Sequence, residues 1–332
     1  MLLVGVGNRG RWPLERCTRE AGWEICGLVD RDDGHLAQAC SLTGLGDEAC
    51  FADLDKALDT VRPDVAIICT PTITHASFTK ASVDRGVAVL TEKGMATSWG
   101  EAVDLVSHVR MRRGIFAVAQ NYRYDGVSAV VGAALGVSGE ADVPRIEEVF
   151  LVDYVQHRVR PVPGTLTYPF ASVWDMSCHH FDNLLCWLGP VAEVTAHACR
   201  APWSPYEHAG NTSAFLRFAN GAAVNYVHTH DAARNSLRIE VHGRNGALVL
   251  RDGLAEFSEK PSVNFGQCPV RQVALPSLDS EARMLENFRR YVVAGREPGI
   301  SGDRNLETMA LCEMTVRSAL EKRTVKREEL PS

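Results

Sequence analysis

The chain has 332 residues, of which 45% are apolar and 23% charged, with a formal net charge of −6. Length and composition fit a water-soluble globular protein of two domains. The negative balance leaves no basic excess to release counterions, which argues against nucleic acid or an anionic membrane as partner, and no stretch reaches the ~20 apolar residues of a membrane span.

"MLLVGVG" runs from the first methionine straight into a glycine turn, so no secretory leader is expected. The strand is short enough to leave room for a start a few residues upstream. Ten cysteines lie scattered at 17, 26, 40, 50, 69, 178, 186, 199, 268 and 312, none of them in a C-x-x-C pair. They are expected to be free, buried thiols, and the protein cytoplasmic.

The glycine turn reads Gly5-x-Gly7-x-x-Gly10 and is followed by a helical segment, "RWPLERC". "EICGLVD" then supplies a second strand ending in Asp30, which lies 20 residues beyond Gly10. These are the conditions for a dinucleotide fold: glycines admit the pyrophosphate, a helix N-terminus faces it, and a carboxylate accepts from the ribose. Helix and strand keep alternating through "HLAQACSLTG", "ALDTVRPDVAIICTP", "THASFTKASVDRG", "VAVLTEKG", "SWGEAVDLVSHVRMRRG" and "IFAVAQNYRY". The predicted architecture is an α/β Rossmann domain with a doubly wound parallel sheet over 1–123. Ligands of such a sheet bind beyond the carboxyl ends of its strands, which singles out Thr70-Pro71, Glu92-Lys93 and Asn121-Tyr122-Arg123. The expected cofactor set is Gly5, Gly7, Asn8, Arg9, Gly10, Asp30, Arg31, Thr70, Pro71, His75, Glu92, Lys93 and Asn121. Asp30 would repel a 2′-phosphate and so favours NAD, while the adjacent Arg31 leaves NADP open.

From 124 to 332 the pattern becomes strand-rich: "PRIEEVFLVDYVQHR", "VAEVTAHACRA", "TSAFLRFANGAAVNYVHTHDA", "SLRIEVHGRNGALVLRDG" and "LAEFSEK". This predicts a C-terminal α+β domain with a large, mostly antiparallel sheet covered on one face. Between its first strands stands "WDMSCHHFDNLLCWLGP", in which Asp175, His179 and Asp182 fall at i, i+4 and i+7 on one helical face. A carboxylate one turn from a histidine orients the imidazole and favours its charged form, as a proton shuttle requires. A solvated polar face is the plainer reading. A zinc site lacks support, because His179 and His180 point in different directions and no H-E-x-x-H spacing is present, so no metal is expected. The loop 156–174 offers Arg158, Arg160 and Tyr168 for a carboxylate, a phosphate or sugar hydroxyls. With Arg123, Trp174 and His180 these make up the expected substrate set. His228 and His230 alternate to one side of a strand; a pocket lining is open to them, a metal role lacks further ligands, and a polar strand face is the plainer reading.

"GVGNRG", "VD", "CTPTITHASFTKASVDRGVAVLTEKG" and "NYRY", in this order, resemble the Gfo/Idh/MocA family of NAD(P)-dependent oxidoreductases, which act on sugars, sugar nucleotides and cyclitols. Glu92-Lys93-Gly94 stands where the family has Glu-Lys-Pro. "DMSCHHFD" is similar to the family's Asp-x-x-x-His-x-x-Asp helix, "LRIEVHGRNGALVL" to its late hairpin, and the last helical segments to its terminal helices. The resemblance implies that Lys93, Asp175 and His179 surround the substrate hydroxyl beside the nicotinamide. It also implies a homodimer or homotetramer formed through the C-terminal sheet. Two alternatives stay open. One is a lyase, epimerase or glycosidase that uses NAD transiently, with no net redox change. The other is a dinucleotide-sensing regulator, from which loss of the lysine or the histidine would be expected.

Overall fold

The computed structural model describes residues 1–19, 22–162, 164, 168–261, 263 and 268–331; part of the expected substrate loop, at 163 and 165–167, lies outside them. The chain divides into two compact units, 1–120 with 282–306 and 121–281 with 307–332.

The first unit runs β1 (Leu2–Val4), α1 (Arg11–Arg19), β2 (Gly27–Val29), α2 (Asp33–Thr43), β3 (Cys50–Phe51), α3 (Leu54–Val61) and β4 (Val65–Ile68). It continues with α4 (His75–Asp84), β5 (Ala88–Thr91), α5 (Trp99–Arg112) and β6 (Phe116–Val118). All six strands are parallel, in the order β3-β2-β1-β4-β5-β6. β4 and β5 are buried at every position, as strands covered on both faces must be. Helix starts are fixed locally: Asp32, Asp53 and Ser98 each accept from a backbone N–H one turn on, satisfying donors the helix cannot use. The two-residue β3 has no pattern long enough to be read in sequence.

The second unit opens with a 3₁₀ turn at Asn121–Tyr124, then α6 (Gly126–Ala134) and β7 (Leu151–Val159). A π-helical turn, Val173–Ser177, leads directly into α7 (Cys178–Leu188). Next come β8 (Val191–Cys199), β9 (Asn211–Phe218), β10 (Ala223–Thr229), β11 (Asp231–His242), β12 (Gly246–Arg251), β13 (Leu254–Glu259) and β14 (Val270–Val273). The chain ends with α8 (Ser280–Ala294), α9 (Gly302–Glu321) and β15 (Val325–Lys326). The nine strands form one sheet, ordered β14-β13-β12-β11-β7-β10-β9-β8-β15, antiparallel except where β7 lies parallel to β10. Alternate residues of β9 and β10 are buried, which gives the sheet its covered face. α6, whose "GVSAVVGAA" is small and apolar but for Ser128, has no polar face from which a helical period could be read.

The division between units differs from the 123/124 boundary expected from sequence. The break falls after Gln120, and 282–306 returns to the first unit. Val118 N–H donates to the Ile300 carbonyl at 2.9 Å, Ala117 bridges Ser301, and Phe288 stacks on Trp23 with ring centres 6.5 Å apart. A helical period identifies α8 as a helix without saying which sheet it serves. The cysteine expectation is corrected at one pair. The turn at 47–49 folds Cys50 back to the end of α2, where it is disulfide-bonded to Cys40. Of the other eight, Cys17, Cys69, Cys178 and Cys312 are buried, whereas Cys199 and Cys268 are exposed. Among the described residues, no helix is long and apolar enough to cross a membrane.

Phe288 is fully buried, whereas Val293 of the same helix is 73% exposed. Phe288→Ala is therefore expected to cost about 3–5 kcal/mol, and Val293→Ala no more than about 0.5 kcal/mol, in urea unfolding.

Candidate active site

The first unit supplies a cradle for a dinucleotide at the carboxyl end of β1. Gly5 has φ +83°, and a Cβ there would lie 2.8 Å from the Cys69 carbonyl carbon; a Cβ on Gly10 would lie 2.0 Å from the Gly5 oxygen. Both positions exclude any other residue, so the turn brings bare backbone to the start of α1. Gly7 sits under the His35 ring. Asp30 accepts from Val6 N–H at 2.9 Å and from Asp32 N–H at 3.0 Å, which holds its carboxylate at the end of β2. A carboxylate has about four lone-pair sites, so acceptors remain for ribose hydroxyls. A cleft of about 680 Å³, lined by Gly7, Asn8, Arg11, His35 and Gln38 among others, continues from the turn. Backbone approach, helix terminus and ribose acceptor all fit the dinucleotide.

Arg9 and the Trp12 indole both donate to the buried Glu92 carboxylate, Trp12 at 2.8 Å, so this pairing ties the glycine turn to the end of β5. His75 lies between two carbonyls, Gly94 at 2.8 Å and Thr70 at 2.7 Å, and thereby links the β4 and β5 ends. Lys93 is half-buried, directly after Glu92, and the Lys93–Gly94 peptide is cis. Asn8, Arg31 and Pro71 are exposed, and Asn121 opens the second unit.

In the second unit, Arg123 and Asp182 form a two-pronged pair at 2.7 and 2.8 Å, with Thr308 also donating to Asp182. Burial works against the Arg123 charge, but the Asp182 carboxylate outweighs it and holds the pKa above its ordinary value. The guanidinium placed among substrate contacts from sequence is thus committed to α7. Its neighbour Tyr122 stacks on the His179 ring, with centres 4.3 Å apart and planes within 10°. The Tyr122 hydroxyl accepts from Arg158 Nη2. Arg160 Nη1 donates to Asp175 at 3.3 Å. The regular i, i+4 spacing of Asp175 and His179 is altered, because Cys178 N–H reaches back five residues to the Val173 carbonyl. Such π turns shift a helical register by one residue and recur at functional sites. Trp174 is buried, and Tyr168 packs with Ala171 and Tyr206.

His180 is fully buried, with Nδ1 2.7 Å from the Tyr226 hydroxyl, which itself donates to Ser177 Oγ. The single phenolic proton is used there, so Nδ1 of His180 carries the hydrogen. His228 and His230, expected on a polar strand face, are buried to 0% and 2% exposure. Rings follow one another from His180 to His228 (5.3 Å), His230 (4.7 Å) and Tyr206 (5.2 Å). The sequence shows the alternation of His228 and His230, but not that this face is the covered one.

Residues 1–120 match the oxidoreductase family with an NAD-binding Rossmann fold, and residues 168–249 match the GFO/IDH/MocA C-terminal domain. The chain belongs to the GFO/IDH/MocA oxidoreductase family. D-apiose dehydrogenase of Paraburkholderia graminis is 26% identical over 344 residues, 99% of this chain and 89% of its own. Inositol 2-dehydrogenase of Rhizobium meliloti is 27% identical over 333 residues, 97% of each chain. An oxidoreductase from Agrobacterium radiobacter, solved with NAD+, L-tartaric acid and magnesium, has the same fold, with TM-score 0.85 at 21% identity, covering 99% of this chain and 98% of its own. As a member of the GFO/IDH/MocA family, the protein is an NAD(P)-dependent oxidoreductase whose cofactor is NAD.

The buried histidines make stability depend on pH. Burial pushes the His228 pKa well down, helped by the neighbouring His180 and His230 rings and the Arg158 and Arg160 guanidiniums; burial likewise lowers that of His75. Unfolded, each protonates near ~6.5. Folded, each stays neutral at that pH, so their contribution is complete above ~6.5 and lost as the pH falls below it. Asp125, raised by burial to about 6, stabilises in the opposite sense, but only below that pH. Between pH 7 and 6 the unfolding free energy should therefore fall. His228→Gln should flatten that slope by at most about 1.4 kcal/mol per pH unit in urea melts at each pH.

Proposed function

We propose that the protein transfers a hydride between NAD and a secondary alcohol, or the corresponding ketone, of a sugar, sugar nucleotide or cyclitol. The observation that carries this is the sequence of two contacts in the second unit: Arg158 holds the Tyr122 hydroxyl and Tyr122 lies flat on His179, which fixes an imidazole for proton transfer. Support for the substrate class comes from two curated relatives, dehydrogenases of apiose and of inositol. Bound NAD supplies the hydride acceptor. His179 takes the hydroxyl proton as the carbinol C–H bond breaks, and returns it in the reverse direction. Asp175 favours the charged imidazole, and Lys93 stabilises the developing alkoxide. Asp30 disfavours a 2′-phosphate, so NAD is preferred to NADP.

Lys93→Met should lower kcat about 10²–10⁴-fold while the Kd for NADH, read by fluorescence titration, changes little. Turnover within a few-fold of wild type would remove Lys93 from the chemistry.

The protein is further proposed to assemble as a homodimer or homotetramer through the outer face of the nine-stranded sheet. Phe215 stands 45% exposed on that face, on β9, and Val159 of β7 is 44% exposed. Phe215→Glu should shift the mass measured by light scattering towards the monomer. A wild-type mass equal to one chain would contradict this assembly.

A further inference from the structure

Five residues of the second unit bring buried polar atoms to one region without giving them partners. Among the described residues, Gln156 Oε1, Thr212 Oγ1, both ring nitrogens of His228, the Tyr206 hydroxyl and Arg158 Nε have no hydrogen bond. Three of them are register neighbours: His228 on β10 lies opposite Thr212 on β9 and opposite Gln156 on β7. Strands stand ~4.8 Å apart, so these three side chains form a row ~10 Å long on the covered face. An unsatisfied buried polar atom costs about 1–3 kcal/mol, and five such residues in one place mark a surface built for a polar ligand.

The chemistry of the row is mixed. Gln156 Oε1 only accepts, Thr212 does both, and a neutral His228 offers one donor and one acceptor. Hydroxyl groups, which donate and accept at once, satisfy all three. The charge near the row is not mixed. Arg158 spends Nη2 on the Tyr122 hydroxyl, and among the described residues it has no carboxylate partner. The two other guanidiniums named in this unit, Arg123 and Arg160, have Asp182 and Asp175. The guanidiniums of Arg158 and Arg160 act on His228, whereas Tyr206, at the far end of the ring series, senses Asp175 and Asp231 as well as Arg160. A guanidinium is always charged, and one held beside a buried polar row without a counterion is completed by an incoming anion.

We infer that the row Thr212–His228–Gln156 with Arg158 seats a polyhydroxylated carboxylate, a sugar acid, whose carboxylate meets Arg158 and whose hydroxyls run along the row towards Tyr206. This rests on the hydride-transfer function proposed above and narrows its substrate class from neutral sugars to acidic ones.

The test is calorimetric titration of the NADH-loaded enzyme with four- to six-carbon aldonates and hexuronates, each beside its neutral counterpart, such as D-gluconate beside D-glucitol. NAD reduction by the same compounds is followed in parallel. The acid of the best-binding pair is expected to bind at least about tenfold more tightly than its neutral partner. Arg158→Gln should remove that preference and Arg158→Lys retain part of it, with melting temperatures showing that both variants fold. A neutral compound bound as tightly as its acid, no acid bound at all, or a preference untouched in Arg158→Gln overturns the inference. The function fails separately, if no acid, sugar or cyclitol reduces NAD even though acids bind.

Discussion

Within the second unit, the arrangement of the polar side chains depends on one buried ion pair, Arg123 with Asp182. Asp182 is fixed on the inner side of α7, and Arg123 comes from the 3₁₀ turn at 121–124. Two parallel N–H···O bonds define orientation as well as distance, so the pair sets the turn against the helix. The turn carries Tyr122, Tyr122 lies on His179, and its hydroxyl receives Arg158 of β7. Turn, helix and strand are therefore registered to one another through a single residue pair and its neighbour. Removing either partner would strand a buried charge, a loss of about 3–5 kcal/mol, and would release the imidazole from its stack.

α7 reaches the sheet by a second route. His180 bonds to Tyr226 and Tyr226 to Ser177, so the hydroxyl of one strand residue is shared between two successive turns of helix. Below that contact the covered face changes character. Val224 and Tyr226 give way to His228 along β10, and Val152 and Tyr154 give way to Gln156 along β7. The apolar half holds the helix in place, and the polar half is left with unused donors and acceptors. Stability and recognition thus occupy successive rows of the same strands.

Features set by local chemistry were legible in the sequence. The positive φ of Gly5 and the close approach at Gly10 need glycine, so the spacing of the turn and its distance to Asp30 revealed the cradle. The alternating elements revealed the parallel sheet, and the family motifs the second domain. Features set by partner choice were not legible. Nothing local distinguishes Arg123, which is consumed by Asp182, from Arg158, which is not. Alternation marks one face of β10 without saying that it is covered, so the sequence gives His228 and His230 a polar strand face and not their burial. The extra residue of the π turn leaves no trace in composition, and Cys40 meets Cys50 only because the 47–49 turn folds back.

In the proposed reaction, Lys93 and His179 act on one substrate oxygen beside the nicotinamide. The most direct measurement is a crystal structure of the protein with NADH and a bound substrate or substrate-like inhibitor. Both Lys93 Nζ and His179 Nε2 should lie within about 3.2 Å, or one bridging water, of the oxygen on the carbon that faces nicotinamide C4. A complex in which either group is out of reach of that oxygen would contradict the claim.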